Sequence, residues 1–342
     1  MRSLIRWSCI LFSDVSTAKL KQQPIIQMDK QVIEDVLLFA ANQLLLAVHK
    51  QRKVILVDCG SGNVLAELVL QEQPEFLCKI NANLAATTFM KNTIQFIKVN
   101  KNTLKADSTT NVDFDAYGIA PYRNNIVVSS SSAVKIISKD GTPIHMMDNT
   151  TAGREVFKNP RWITTTTDGS IYVTDWGTDN ITRLDSSLTI LQTFSGAILN
   201  GPCELRCLNN DQLVVCCYRN NTIVLVRPST SSMTVLLDKQ SGIEGPKYLC
   251  FCKEQKKMYV ARADKILVYK FTWFNYICAC TWCELKQTRT DTSDGCFIES
   301  VPVYRMLKYN YILGIRVIQC MCPIFIPHKS RNKVTDIRDR CL

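Results

Sequence analysis

Hairpins recurring at an almost fixed interval constrain this chain more than any other feature. Short runs rich in Val, Ile, Leu and Thr begin at Leu44, Leu84, Ile126, Ile171, Leu213 and Met258, with successive starts 40, 42, 45, 42 and 45 residues apart. Each has a downstream partner, beginning at Val54, Ile94, Val134, Ile181, Ile223 and Ile266, at offsets of 10, 10, 8, 10, 10 and 8 residues. An antiparallel pair needs a constant offset, because a slip of one residue turns every side chain to the wrong face. A further strand is expected before each pair, near Val36, Phe76, Tyr117, Trp162, Glu204 and Tyr248. The turn into the pair is polar, as in Asn81-Ala82-Asn83, Arg123-Asn124-Asn125 and Asp168-Gly169-Ser170. Such residues tolerate the positive φ of tight turns. A fourth strand follows at Val64 to Leu68, Pro143 to Met147, Leu188 to Phe194 and Met233 to Leu237.

Four antiparallel strands in each repeat make one blade of a β-propeller, and six repeats predict an all-β, six-bladed ring over residues 24–271. The second strand of each unit is apolar or small almost throughout, which fits a sheet covered on both faces by neighbouring blades. The sixth unit lacks an obvious fourth strand, while an orphan run, Ile25-Ile26-Gln27-Met28, lies upstream of the first. Laid on the outer edge of the last blade, this run completes the ring and removes the exposed edge. Residues 1–23 read as a weakly ordered arm and not as a signal peptide, since Arg6 interrupts a short apolar run. Residues 272–342 read as a Cys-rich, irregular tail.

The formal net charge of +11 is uneven: residues 24–271 hold 27 Lys+Arg against 23 Asp+Glu. A near-neutral ring does not by itself call for nucleic acid. Of 16 cysteines, eight fall in the repeat region, mostly within apolar strands, where a free thiol behaves as a small hydrophobe. Adjacent Cys216 and Cys217 point to opposite faces of a strand and do not pair. We therefore expect a reducing, cytoplasmic setting, a monomeric propeller and no membrane span.

The best-formed unit carries Asn159-Pro160-Arg161-Trp162-Ile163, then Asp168-Gly169-Ser170-Ile171-Tyr172-Val173-Thr174-Asp175, then Asn180-Ile181-Thr182-Arg183-Leu184-Asp185. This resembles the NHL repeat. The region is similar to the C-terminal propeller of tripartite-motif (TRIM-NHL) ubiquitin ligases, particularly the diverged invertebrate kind. A looser likeness to the YWTD propellers of lipoprotein-receptor ectodomains rests on Ile171 to Trp176 alone. The NHL resemblance implies a recognition domain that selects a protein partner or, in some members, an RNA. Ubiquitin transfer in that family belongs to a RING domain with B-box and coiled-coil modules. This sequence has only three His and no Cys-x2-Cys array with the spacing of a cross-braced zinc site.

The loops between the second and third strands, and the turns into each first strand, are expected to open on one end of the ring. They carry His49, Lys50, Arg52, Lys53, Lys91, Arg161, Trp176, Asp179, Tyr218, Arg219, Asn220, Lys247 and Arg262. Cations interleaved with Trp and Tyr suit a protein hot spot or stacked bases on a phosphate backbone. The small net charge favours protein, with RNA as the alternative. Asp58, Asp175 and Asp185 close strands in a repeated pattern and are expected to accept from turn amides. A third alternative is a calcium-dependent lactonase- or esterase-like propeller with Glu204, Asn180 and Asn221 near the axis. No nucleophile elbow, phosphate loop or dinucleotide fingerprint occurs, so the sequence predicts no cofactor, no resident metal and no enzyme activity.

Overall fold

A computed structural model describes residues 14–28, 31–149, 153 and 155–272. Its strands form six four-stranded antiparallel sheets. The first blade runs Ile33–Ala40, Gln43–Val48, Lys53–Asp58 and Val64–Val69 from axis to rim, each strand paired to the next. The innermost strands of the other blades are Phe76–Asn81, Ile119–Tyr122, Pro160–Thr165, Pro202–Asn209 and Tyr248–Cys252. Each innermost strand packs beside the next, and the sixth returns to the first, so the ring is closed. In the sixth blade the rim strand is Lys19–Gln27, which pairs antiparallel with Lys265–Thr272. The first described strand thus completes the last sheet.

The second strands bear out the expectation of two covered faces. Leu44, Leu45, Leu46, Ala47 and Val48 are each 0% exposed. Alternate residues enter different side-by-side cores: Leu44 and Leu46 join one cluster, Leu45 and Ala47 another. β-Branched and small side chains suit such doubly packed strands.

A repeated hydroxyl fastens blade to blade. Thr88 and Ser129 close the second strands of blades 2 and 3, and Thr174 is the last residue but one of that strand in blade 4. Their hydroxyls donate to Tyr117 O at 2.7 Å, Arg161 O at 3.3 Å and Cys203 O at 2.9 Å, all on the chain entering the following blade. Gly118 permits the approach of blades 3 and 4, because a Cβ there would stand 2.0 Å from Arg161 O.

One strand exceeded sequence expectation. Thr103–Ala116 forms a 14-residue rim strand in blade 2, paired with Lys91–Asn100. Its run of Thr, Ser, Asp and Asn masks the strand because most of these side chains face solvent.

The eight described cysteines are free, and all but Cys207 are buried. Burial pushes the thiols of Cys78 and Cys217 up to about 12 and that of Cys59 up to about 11, so they behave as hydrophobic filling. Among the described residues, no helix is long and apolar enough to cross a membrane. The expectations for the early arm up to residue 13 and for the tail beyond residue 272 lie outside the described residues.

Candidate functional site: a groove from the ring axis to the rim

The end of the ring where the innermost strands begin carries two adjoining cavities. One, of about 240 Å³, sits over the axis and is lined by Glu34, Glu75, Phe76, Asn159, Arg161, Trp162, Trp176, Lys247 and Tyr248. The other, of about 530 Å³, extends toward blades 5 and 6 and is lined in part by Tyr218, Arg219, Glu244 and Arg262. Glu34, Lys247 and Tyr248 belong to both walls, so the two form one groove.

Three blades supply the axial wall by the same local rule. Pro74-Glu75-Phe76, Pro160-Arg161-Trp162 and Pro246-Lys247-Tyr248 each place a proline, a charge and an aromatic ring at the start of an innermost strand, in blades 2, 4 and 6. The triplets are spaced 86 residues apart, which is two blades. The proline has no N–H to leave unsatisfied as the chain enters the sheet. The ring and the charged head then fall at matching heights around the axis. Sequence reasoning picked out the triplet at Pro160 but missed this two-blade period. With it went Glu34, Glu75, Phe76, Trp162 and Tyr248.

Aromatic rings bridge the groove floor. Phe76 meets Trp162 edge-on at 5.8 Å between centroids, Trp162 lies 6.4 Å from Trp176, and Trp176 lies 5.8 Å from Tyr218. Arg219 stacks over Trp176 at 4.4 Å while its guanidinium donates to Asp179 at 2.9 and 3.1 Å. Asp175 fixes the loop beneath. Its carboxylate accepts from the amides of Lys158, Asn159, Gly177 and Thr178 at 2.7, 3.0, 2.8 and 3.2 Å. Asp58 and Asp185 likewise accept from turn amides, those of Gly60 and Ser61 and those of Ser187 and Thr189. The repeated aspartates are thus structural, as their place at strand ends predicts.

The thirteen residues singled out in the sequence separate into two sets. Arg161, Trp176, Tyr218, Arg219, Lys247 and Arg262 line the groove. Asp179 holds Arg219, Asn220 Nδ2 donates to Ala197 O at 2.8 Å, and His49 Nδ1 lies 2.9 Å from Glu75 Oε1. Lys50, Arg52, Lys53 and Lys91 line neither cavity. Lys53 is drawn into its own blade by Glu67 at 3.0 Å, and Lys91 is bound by Glu72 at 2.8 Å. Arg262 pairs with Glu244 at 2.7 Å, and Lys247 lies 3.7 Å from Glu34. The apparent basic face is therefore largely neutralised by nearby carboxylates, which weakens the case for a phosphate backbone.

One contact in the axial cavity joins a carboxylate to a proton donor. Tyr248 O–H donates to Glu34 Oε2 at 2.5 Å, and burial with the adjoining Glu34 charge holds the phenol well above its ordinary range. Burial raises Glu75, against the attraction of His49.

Below the groove lies a second charged set. Asp35 and Glu204 are 1% and 2% exposed. Asp35 accepts from Val36 N at 2.7 Å and from Leu77 N at 2.6 Å, joining blades 1 and 2. Arg206 of blade 5 reaches Glu204 Oε1 at 2.5 Å and lies 4.0 Å from Asp35. Burial pushes Asp35 up to about 6, opposed by Arg206 and the two amides, and raises Glu204 well above its usual range. The axial-calcium alternative named Glu204, Asn180 and Asn221. A guanidinium already faces Glu204, and Asn221 Oδ1 accepts from Gly245 N at 2.7 Å. Among the described residues no group of three or more His, Cys, Asp or Glu is arranged for a metal ion.

No protein-family model matches the chain, and no curated sequence matches it significantly. Solved structures do share its fold. Virginiamycin B lyase from Staphylococcus aureus is 17% identical with a TM-score of 0.55, covering 74% of this chain and 99% of the lyase. A streptogramin B lyase structure is 14% identical with a TM-score of 0.54, covering 76% of this chain and all (100%) of the other. The β-propeller domain of Swd1 from Myceliophteria thermophila is 11% identical with a TM-score of 0.53, covering 70% of this chain and 83% of that domain. At these identities the likeness shows the propeller fold alone, and the count of six blades comes from the sheets of this chain. It also corrects one expectation. The sequence led us to expect no enzyme activity, yet lyases are built on this fold, and missing hydrolase or nucleotide motifs exclude only those chemistries.

Proposed function

We propose that this propeller is a recognition module of the NHL kind that binds a protein partner along the groove from the axis to the rim of blades 5 and 6. The observation that carries this reading is the aromatic file Phe76–Trp162–Trp176–Tyr218 on the groove floor, with Arg219 stacked at its centre. Trp, Tyr and Arg in partly desolvated pockets dominate protein hot spots, because they bury much area at low entropic cost. Ion pairs along the groove set register and deter partners of the wrong charge pattern more than they add affinity. RNA is the weaker reading, because most of the cations that pointed to it are already paired.

Proteins retained by the immobilised wild-type chain and lost on a Trp176→Ala/Tyr218→Ala double variant identify groove partners. The expected partners survive nuclease treatment, with affinity falling at least about 10-fold in the double variant. Retention that vanishes on nuclease treatment supports RNA instead. Retention indifferent to the double variant refutes the groove.

A further inference from the structure

We propose that the axial end of the groove is a receptor for a single carboxylate side chain, an Asp or Glu presented by an extended peptide segment of the partner. This rests on the recognition reading above and specifies its chemistry. It follows from which valences the cavity leaves open. Both wall carboxylates have partners of their own: Glu34 takes the Tyr248 hydroxyl at 2.5 Å, and Glu75 lies 2.9 Å from His49. The donors are less fully used. Arg161 spends its Nε on Asn159 Oδ1 at 3.2 Å and forms no close ion pair among the described residues, although its charge and that of Lys247 both attract Glu75. Lys247 stands 3.7 Å from Glu34, beyond hydrogen-bond reach.

Charge and size narrow the class. The wall sets Arg161 and Lys247 against Glu34 and Glu75. A monoanion pairs with the two cations, whereas a dianionic phosphate brings a second charge against two carboxylates in a half-enclosed site. At about 240 Å³ the cavity admits a side chain. The planar guanidinium suits a carboxylate held by two parallel hydrogen bonds. Phe76, Trp176 and Tyr248 offer apolar surface to the methylene stem.

The test is display selection of random heptapeptides with blocked termini against the full chain. We expect selected peptides to share an Asp or Glu at one position. Changing that residue to Gln or Asn in a synthetic peptide should weaken binding at least about 10-fold, and Arg161→Gln in the protein by a similar factor. The two losses should overlap when combined, as they do for partners in direct contact. Lys247→Gln, at an exposed position, should cost less and keeps the test open if Arg161→Gln disturbs folding. A shared Lys or Arg, additive losses, or tighter binding by phosphoserine at that position each overturns the proposal. Binding that requires a free C-terminus also overturns it. Peptides sensitive to Trp176→Ala but not to Arg161→Gln leave the groove standing and remove the carboxylate receptor. If no selected peptide responds to Trp176→Ala, both readings fall.

Discussion

Glu34 and Asp35 are neighbours on one strand with opposite fates. Glu34 opens on the groove, where the Tyr248 phenol donates to it and Lys247 stands 3.7 Å away. Asp35 is sealed beneath, bridging two blades through backbone amides, with Glu204 and Arg206 alongside. Successive residues of a strand face opposite ways, so one step along the chain separates a binding group from a structural one. The comparison teaches that the charges near the axis do two jobs. The upper set can exchange its partners for a ligand's. The lower set cannot, because removing any member strands the others in a region of low polarity.

The largest effect should come from the lower set. Arg206→Leu leaves Asp35 and Glu204 without a counter-charge, and the expected loss is about 3 kcal/mol, read as a fall in the denaturant midpoint. An unchanged midpoint would place Arg206 with the dispensable ion pairs of the rim.

A smaller effect should appear in pH dependence. The folded-state value of Asp35, near 6, lies above its ordinary 3.8. The folded chain therefore binds this proton more tightly than the unfolded chain, and the resulting stability is full below about pH 4 and is lost as pH rises through 6. Surface acids with depressed values, such as Asp58, Asp168 and Asp185, are ionised in both states above about pH 5 and do not interfere there. Unfolding measured at pH 5 and pH 7 should differ by about 1 kcal/mol from Asp35, in favour of pH 5. Asp35→Asn should remove that share. A difference that survives the substitution would assign it to Glu204 or Glu75, whose values are also raised.

The smallest effect belongs to the rim. Lys91 and Glu72 touch at 2.8 Å, but their side chains are 54% and 42% exposed. Lys91→Ala should leave the thermal midpoint unchanged within error, since water and salt screen such pairs. A clear shift would erase the distinction between covered and open charges.

The site was only partly legible beforehand. Arg161, Trp176, Tyr218, Arg219, Lys247 and Arg262 were found because loops joining equivalent strands must share one end of a ring. Asp179, the partner of Arg219, was found with them, but Glu34 was not, because it reaches Lys247 and Tyr248 only through closure of the ring, across more than half the chain. Lys50, Arg52, Lys53 and Lys91 were drawn in by loop position alone, although side-chain direction sends Lys53 back to Glu67.

Local spacing alone determined the blades. Strand, turn and strand are neighbours along the chain, so alternation and polar turns record their pairing, and even the closing run from Ile25 is visible as an unmatched strand. Tertiary structure alone decided which charges meet. Asp35 of blade 1 meets Glu204 and Arg206 of blade 5, while Glu75, Arg161 and Lys247 come from blades 2, 4 and 6, and these meetings depend on distance across the axis. No local pattern encodes that distance.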